Sequence, residues 1–176
     1  MKFLKISLFI LAVISAVIIG RGILTPSITY ESKILVNKSV EESWAIMSDE
    51  SKLHEWIKGF KRTELVSGKA NNIGAVSNVY IEENGQEMVM KETITAFDVH
   101  QKIGMNFHLD IMDMDYEMLF SEKNGQTQII TKSKNKGNNL IGKVITAWMQ
   151  GGMKTQEDEN LNKLKKVIES NTKSYY

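Results

Sequence analysis

Two adjacent stretches near the middle of the chain alternate in strict period two, and they restrict the fold more than any other feature. In the first, Ile103, Met105, Phe107 and Leu109 oppose Lys102, Asn106, His108 and Asp110. In the second, Met112, Met114, Tyr116, Met118 and Phe120 oppose Asp113, Asp115 and Glu117. Successive side chains of a strand point to opposite faces of its sheet. The pattern therefore predicts an antiparallel sheet with one wet and one buried face. Such a sheet needs a cover, and the chain offers the run from Asn138 to Ser170, which is free of proline and rich in helix formers.

The flanking sequence extends the same sheet. Tyr30 to Val36 alternates as a first strand. Ser39, followed three residues later by Glu42, is a capping-box pattern and predicts a short helix over Val40 to Met47. Asp49 opens a second short helix in which Leu53, Trp56 and Ile57 share a face, and Gly59 ends it. Phe60 to Val66, Ala75 to Glu82 and Gln86 to Phe97 read as strands parted by Ser67-Gly68, Asn71-Asn72 and Asn84-Gly85. Within the third of these, Met88, Met90, Ile94 and Ala96 fall on one face. Asn124-Gly125 turns the chain into a last strand, Thr127 to Lys134. One strand, two short helices, six strands and a long helix argue for an α+β fold: a curved antiparallel sheet of about seven strands around the C-terminal helix.

That helix carries two apolar stripes. Leu140, Ile141, Val144, Ile145, Trp148 and Met149 recur at helical spacing, and Leu161, Leu164 and Ile168 form a second set. At roughly 100° per residue, Leu164 lies roughly 160° around the axis from Trp148. One straight helix cannot turn both stripes to one sheet. The phase changes near Gly151-Gly152, where paired glycines favour a kink. The expectation is a kinked helix or two helical pieces, with Leu161, Leu164 and Ile168 docked on the sheet. Leu140 to Met149 then forms a mobile flap over the cavity mouth or toward a membrane.

At the other end, Lys2 and Lys5 precede an apolar run interrupted only by serines, ending near Gly20-Arg21. Phe3 to Leu24 is close to the ~20 residues that span hydrocarbon. The run lacks the paired small residues of a cleavage site, so an uncleaved single-pass anchor is expected, with secretion after cleavage as the alternative. The basic amino-terminal flank places the domain on the extracytoplasmic side. Residues 1–24 are then the anchor, 25–29 a linker containing the sole proline, Pro26, 30–170 the domain and 171–176 a tail. A net charge of +1 with mixed signs lacks the basic footprint of a nucleic-acid binder. With no cysteine, thiolate chemistry is excluded.

The element order and several local signatures resemble the START-like, or SRPBCC, superfamily, and within it the polyketide cyclase/dehydrase-like and lipid-transport-like members. The residues carrying this are Asn37-Lys38-Ser39-Val40-Glu41-Glu42-Ser43-Trp44, Leu53-His54-Glu55-Trp56, Ile73-Gly74-Ala75, Gly125-Gln126-Thr127, and Leu161 with Leu164-Lys165 and Glu169. The match covers about Ser32 to Ser170. One departure is Ala96-Phe97-Asp98-Val99, where many relatives carry Glu-x-Asp-Pro. The resemblance implies a helix-grip fold with a hydrophobic cavity between sheet and long helix, used to bind, carry or occasionally transform an apolar ligand.

Methionine usage points the same way. Met88, Met90, Met105, Met112, Met114 and Met118 all fall on inferred inner faces, and methionine lines surfaces that adapt to variable shapes; it also serves as simple core filler. With Ile94, Phe107, Tyr116, Ile141, Ile145 and Trp148 these form the expected ligand-cavity set. Tyr116 offers a polar handle whose ring packs while its hydroxyl meets a ligand. Tyr80 sits on a strand of ambiguous facing. Strict alternation aims Glu92 inward, whereas a bulge or a rim position leaves it in water. Asp113, Asp115 and Glu117, and likewise Glu157, Asp158 and Glu159, read as solvated faces. His54, His100 and His108 are scattered and lack ligand spacing, so no metal or other cofactor is expected. Three functions stay open: a membrane-tethered binding domain for a hydrophobic small molecule or lipid, a cyclase- or dehydratase-like enzyme using Tyr116 or Glu92, and an interaction module with a filled core.

Overall fold

Tight turns set the strand boundaries. Asn84-Gly85 and Asn124-Gly125 both adopt positive φ, 53° and 76° in the first pair and 53° and 75° in the second, the geometry that matches the twist of a two-residue hairpin. The computed structural model describes residues 2–25, 27–173 and 175. It contains β1 (Ser27–Val36), β2 (Phe60–Ser67), β3 (Val76–Glu83), β4 (Gln86–Asp98), β5 (Lys102–Leu109), β6 (Met112–Lys123) and β7 (Gln126–Gly137). They form one sheet in the order β1-β7-β6-β5-β4-β3-β2, and every neighbouring pair is antiparallel. The helices are α1 (Lys2–Leu24), α2 (Val40–Met47), α3 (Leu53–Trp56) and α4 (Leu140–Ser170), with a 3-10 turn over Glu50–Lys52 before α3. This is the helix-grip arrangement, with α1 added at its start. β1 begins three residues earlier than its alternation suggested. Pro26, expected in the linker, lies outside the described residues.

Local signals explain the helix starts. The Ser39 hydroxyl accepts from the Glu42 amide at 3.2 Å, and Asp49 accepts from the Ser51 amide at 3.0 Å. Asn139 caps α4 by accepting from the Gly142 amide at 2.8 Å. Each bond satisfies one amide that the first helical turn leaves unpaired. The core lies where α2, α3 and the distal half of α4 meet the inner face of the sheet. Leu161, Leu164 and Ile168 are buried there against Val36, Ile129, Met118 and Phe120. Trp44 meets Phe97 and Phe120 edge-on, with ring centroids 5.6 and 5.1 Å away.

Two expectations need correction. First, α4 is a single uninterrupted helix through Gly151 and Gly152, neither two pieces nor a flap. The two stripes are out of phase, and the helix accommodates them by giving each a different partner. On the face shared with Leu161, the first half of α4 carries Thr146 and Ala147, both buried. Gln150 of the same face donates to the Thr29 carbonyl at 3.3 Å. The apolar stripe points the other way, toward α1, where Gly22 lets the helices approach so closely that a β-carbon there would meet Val144 at 2.7 Å. Second, β4 bulges between Ile94 and Ala96. Ile94 still faces Met105, but Ala96 then pairs with Gly104 and turns outward while Phe97 pairs with Ile103 and turns in. An extra residue in one strand reverses every facing beyond it.

Candidate functional site

Register brings the inner-face residues of four strands side by side. Ile103 opposes Met118, Met105 opposes Tyr116, Phe107 opposes Met114 and Leu109 opposes Met112. On the other flank of β5, Ile94 opposes Met105 and Glu92 opposes Phe107. Met90 and Met88 continue the surface toward Val79 and Ile81 of β3. Among the strands, α4 packs most closely on β1 and β7, then β6, so the inner faces of β4 and β5 stay less covered. Met118, Ile94 and Phe107 are buried, Met90, Met105, Met112 and Met114 are partly exposed, and Met88 is 39% exposed. An apolar strip of the inner face, the groove, is thereby left partly open along β4 and β5.

Three of the expected lining residues do not join it. Ile141 is 67% and Trp148 49% exposed, with partly exposed Ile145 on the same side of α4. Helical phase puts them opposite the side that Leu161 and Leu164 bury. Trp148 instead donates from Nε1 to the Ile18 carbonyl of α1 at 3.4 Å, and the Arg21 guanidinium lies 4.5 Å from its ring centre. Tyr80, of uncertain facing, points outward, with Arg62 stacked on its ring at 3.5 Å and its hydroxyl donating to Glu64.

Polar groups occupy two places on the groove wall. Deep beside α4, the Tyr116 hydroxyl donates to Glu157 Oε1 at 2.8 Å. Burial raises both groups, the phenol well above its ordinary value, where the Glu157 charge adds to the effect. Glu157 rises because its own burial outweighs the Tyr116 bond that favours the carboxylate. Next to this pair, Asn135 donates to the Ser133 hydroxyl at 2.9 Å, and Ser32 donates to Asp158 at 2.5 Å. Asp158 also pairs with Lys154 at 2.7 Å, and its carboxyl is held low by that lysine and by Ser32.

Nearer the opening stands Glu92. The bulge lies beyond Ile94, so Glu92 keeps its inward phase, and its carboxylate has no hydrogen bond or ion pair among the described residues. Burial, with a smaller push from the Glu50 carboxylate, raises it to about 7. Near neutrality it is therefore poised to donate from one protonation state and accept in the other.

Glu157, expected on a solvated face, turns inward and is largely removed from water. It stands four residues before Leu161, in phase with Leu161, Leu164 and Ile168, so its inward position was present in the helical spacing. Asp113, Asp115 and Glu117 do line the outer face, paired across strands with His108, Asn106 and Lys102 at 2.5, 2.9 and 2.5 Å. No cluster of three or more metal-binding side chains occurs among the described residues.

The family described as "Polyketide cyclase / dehydrase and lipid transport" matches residues 27–169. Among solved structures, the chain is similar to the Zhui aromatase/cyclase from a Streptomyces species, with TM-score 0.70 and 10% identity over 84% of this chain and 97% of that one. It is also similar to Ara h 8.0201, with TM-score 0.65 and 14% identity over 82% and 99%. A protein of unknown function from Staphylococcus aureus gives TM-score 0.64 and 16% identity over 82% and 94%. At these identities the likeness concerns the fold alone. None of the curated proteins matches the sequence significantly.

Proposed function

The chain belongs to the polyketide cyclase/dehydrase and lipid-transport family, and from that premise we propose that it is a membrane-tethered domain binding a hydrophobic small molecule or lipid on the inner face of its sheet. The observation that carries this reading is the open apolar face: partly exposed methionines of β4, β5 and β6 share it with an inward carboxylate, Glu92, that has no hydrogen-bond or ion-pair partner among the described residues. Exposed methionines gain from covering by an apolar body that they can mould to. An unpartnered, partly buried carboxyl gains from a hydroxyl or carbonyl at that body's polar end. The tether is α1, 23 residues long, apolar and exposed along nearly its whole length.

The test is uptake of a fluorescent apolar probe by the full chain in detergent micelles, together with native mass spectrometry of the protein extracted from its membrane. Saturable uptake that Met105→Trp reduces is expected. Absence of any saturable uptake and of any co-purifying ligand overturns the reading.

A second reading, a cyclase- or dehydratase-like enzyme, is favoured by one specific feature. The Tyr116 hydroxyl and Glu157 form a buried proton-sharing pair beside the groove, and a structural neighbour is an aromatase/cyclase. In that reading Tyr116 or Glu92 polarises or protonates a bound carbonyl. Binding that persists in Tyr116→Phe with loss of turnover supports catalysis, and an unaltered rate in both Tyr116→Phe and Glu92→Gln removes it.

A further inference from the structure

We propose that the first three turns of α4 seat the domain on the lipid surface, with Ile141, Trp148 and Met149 immersed in the headgroup layer beside α1. This rests on reading α1 as a membrane span. The 23 residues of α1 make a rod of about 34 Å, against a hydrocarbon core of about 30 Å. The helix is not free along all of that rod: its Ile18, Arg21 and Gly22 are already in contact with Trp148 and Val144 of α4. Residues 2–17 alone reach only about 24 Å, short of the core even before Lys2 and Lys5 draw the far end toward water. A spanning α1 therefore carries its contact zone, and α4 with it, down to the boundary of the bilayer.

The surface that arrives there is suited to it. Leu140, Ile141, Trp148 and Met149 are 51%, 67%, 49% and 52% exposed. They are left outside because the face of α4 turned to the sheet is filled by small or polar residues, Thr146, Ala147 and Gln150. Ile111, at the tip of the β5–β6 hairpin, adds to the same surface, its carbonyl lying against Gly142. Tryptophan and arginine together suit the boundary between acyl chains and headgroups, and Arg21 over Trp148 is such a pair. Between Leu140 and Met153 the only charged residue is Lys143, a cation that fits anionic headgroups. The surface is continuous with the apolar wall of α1, which decides for lipid over a protein partner.

A chain without cysteine permits a direct test. Nitroxide labels are placed at Ile141→Cys and Met149→Cys in the full chain, in vesicles of phosphatidylcholine and phosphatidylglycerol, with Leu11→Cys and Lys163→Cys as references inside α1 and on the exposed side of distal α4. Collision rates with oxygen, which partitions into lipid, and with a nickel chelate, which stays in water, are compared. Labels at 141, 149 and 11 are expected to favour oxygen several-fold, and the label at 163 to favour nickel. If 141 and 149 report water while 11 reports lipid, the domain stands clear of the bilayer and the proposal fails although the tether survives. If 11 also reports water, the tether fails and takes the proposal with it. Low collision with both reagents at 141 and 149 means that a second copy covers them, which equally overturns the lipid assignment.

Discussion

Glu92→Gln isolates the electrostatic cost of the groove. In the unfolded chain this carboxyl ionises near 4.5, and in the folded protein near 7, with burial as the main cause and the Glu50 charge as a lesser one. At about 1.4 kcal/mol per tenfold in proton affinity, that elevation amounts to about 3 kcal/mol. Water entering the open side of the groove lowers the figure, so about 1–3 kcal/mol is the working range. The sign follows from linkage. Below pH 4.5 the group is neutral in both states and folding loses nothing. As pH rises from 4.5 to 7, the unfolded chain releases its proton first, so the native protein loses stability relative to the variant, and above 7 the loss is complete. Glutamine is neutral throughout. Urea unfolding of the full wild-type and Glu92→Gln chains in detergent, followed by tryptophan fluorescence at pH 4, 5.5, 7 and 8.5, reads the difference. The variant's advantage should grow by about 1–3 kcal/mol between pH 4 and 8.5. A difference that stays constant across that range would refute the claim that Glu92 is desolvated and unpartnered in the fold.

Other expected outcomes rest on separate contacts. Tyr116→Phe deletes the hydroxyl that donates to Glu157 and leaves a buried carboxyl without its partner, so urea unfolding should show a loss of about 1–3 kcal/mol. Leu164→Ala empties a fully buried position between α4 and the sheet, and the same assay should register about 2–5 kcal/mol. Gly104→Ala places a methyl 2.9 Å from the Thr95 hydroxyl and 3.1 Å from the Ala96 methyl at the bulge; strain of about 1–3 kcal/mol should lower the thermal midpoint. Gly22→Leu drives a side chain into Val144 and should separate α1 from α4, read as faster hydrogen exchange over residues 140–150, with the amides of β7 unchanged.

How much of the site could be read in advance depends on how regular its supporting element is. The methionines of β4 to β6 share one face of the sheet, as the alternation predicts, because period two holds without a break from Met88 to Ile94, from Ile103 to Leu109 and from Met112 to Phe120. Ala96, expected inward, turns out instead, and nothing in Thr95-Ala96-Phe97 announces an inserted residue; a bulge is settled by what the neighbouring strand must pack, here Gly104 and Ile103. Glu157 escaped for a different reason. Its spacing to Leu161 was visible, but a carboxylate in a charged run is more often solvated, and only the nearness of Tyr116, 41 residues away in sequence, makes burial tolerable.

The C-terminal helix shows where that boundary lies. From the sequence alone came a helical run within Asn138 to Ser170, two apolar stripes out of phase, and the certainty that they cannot serve one sheet on a straight helix, since those facts depend only on backbone geometry and the order of residues. The partner of each stripe was decided by tertiary structure. The sheet took Leu161, Leu164 and Ile168, and the helix ran on unbroken through Gly151 and Gly152 because α1 lay beside its other face. A helical period fixes the angle between two surfaces, whereas what covers each surface depends on chain segments more than a hundred residues apart meeting in space.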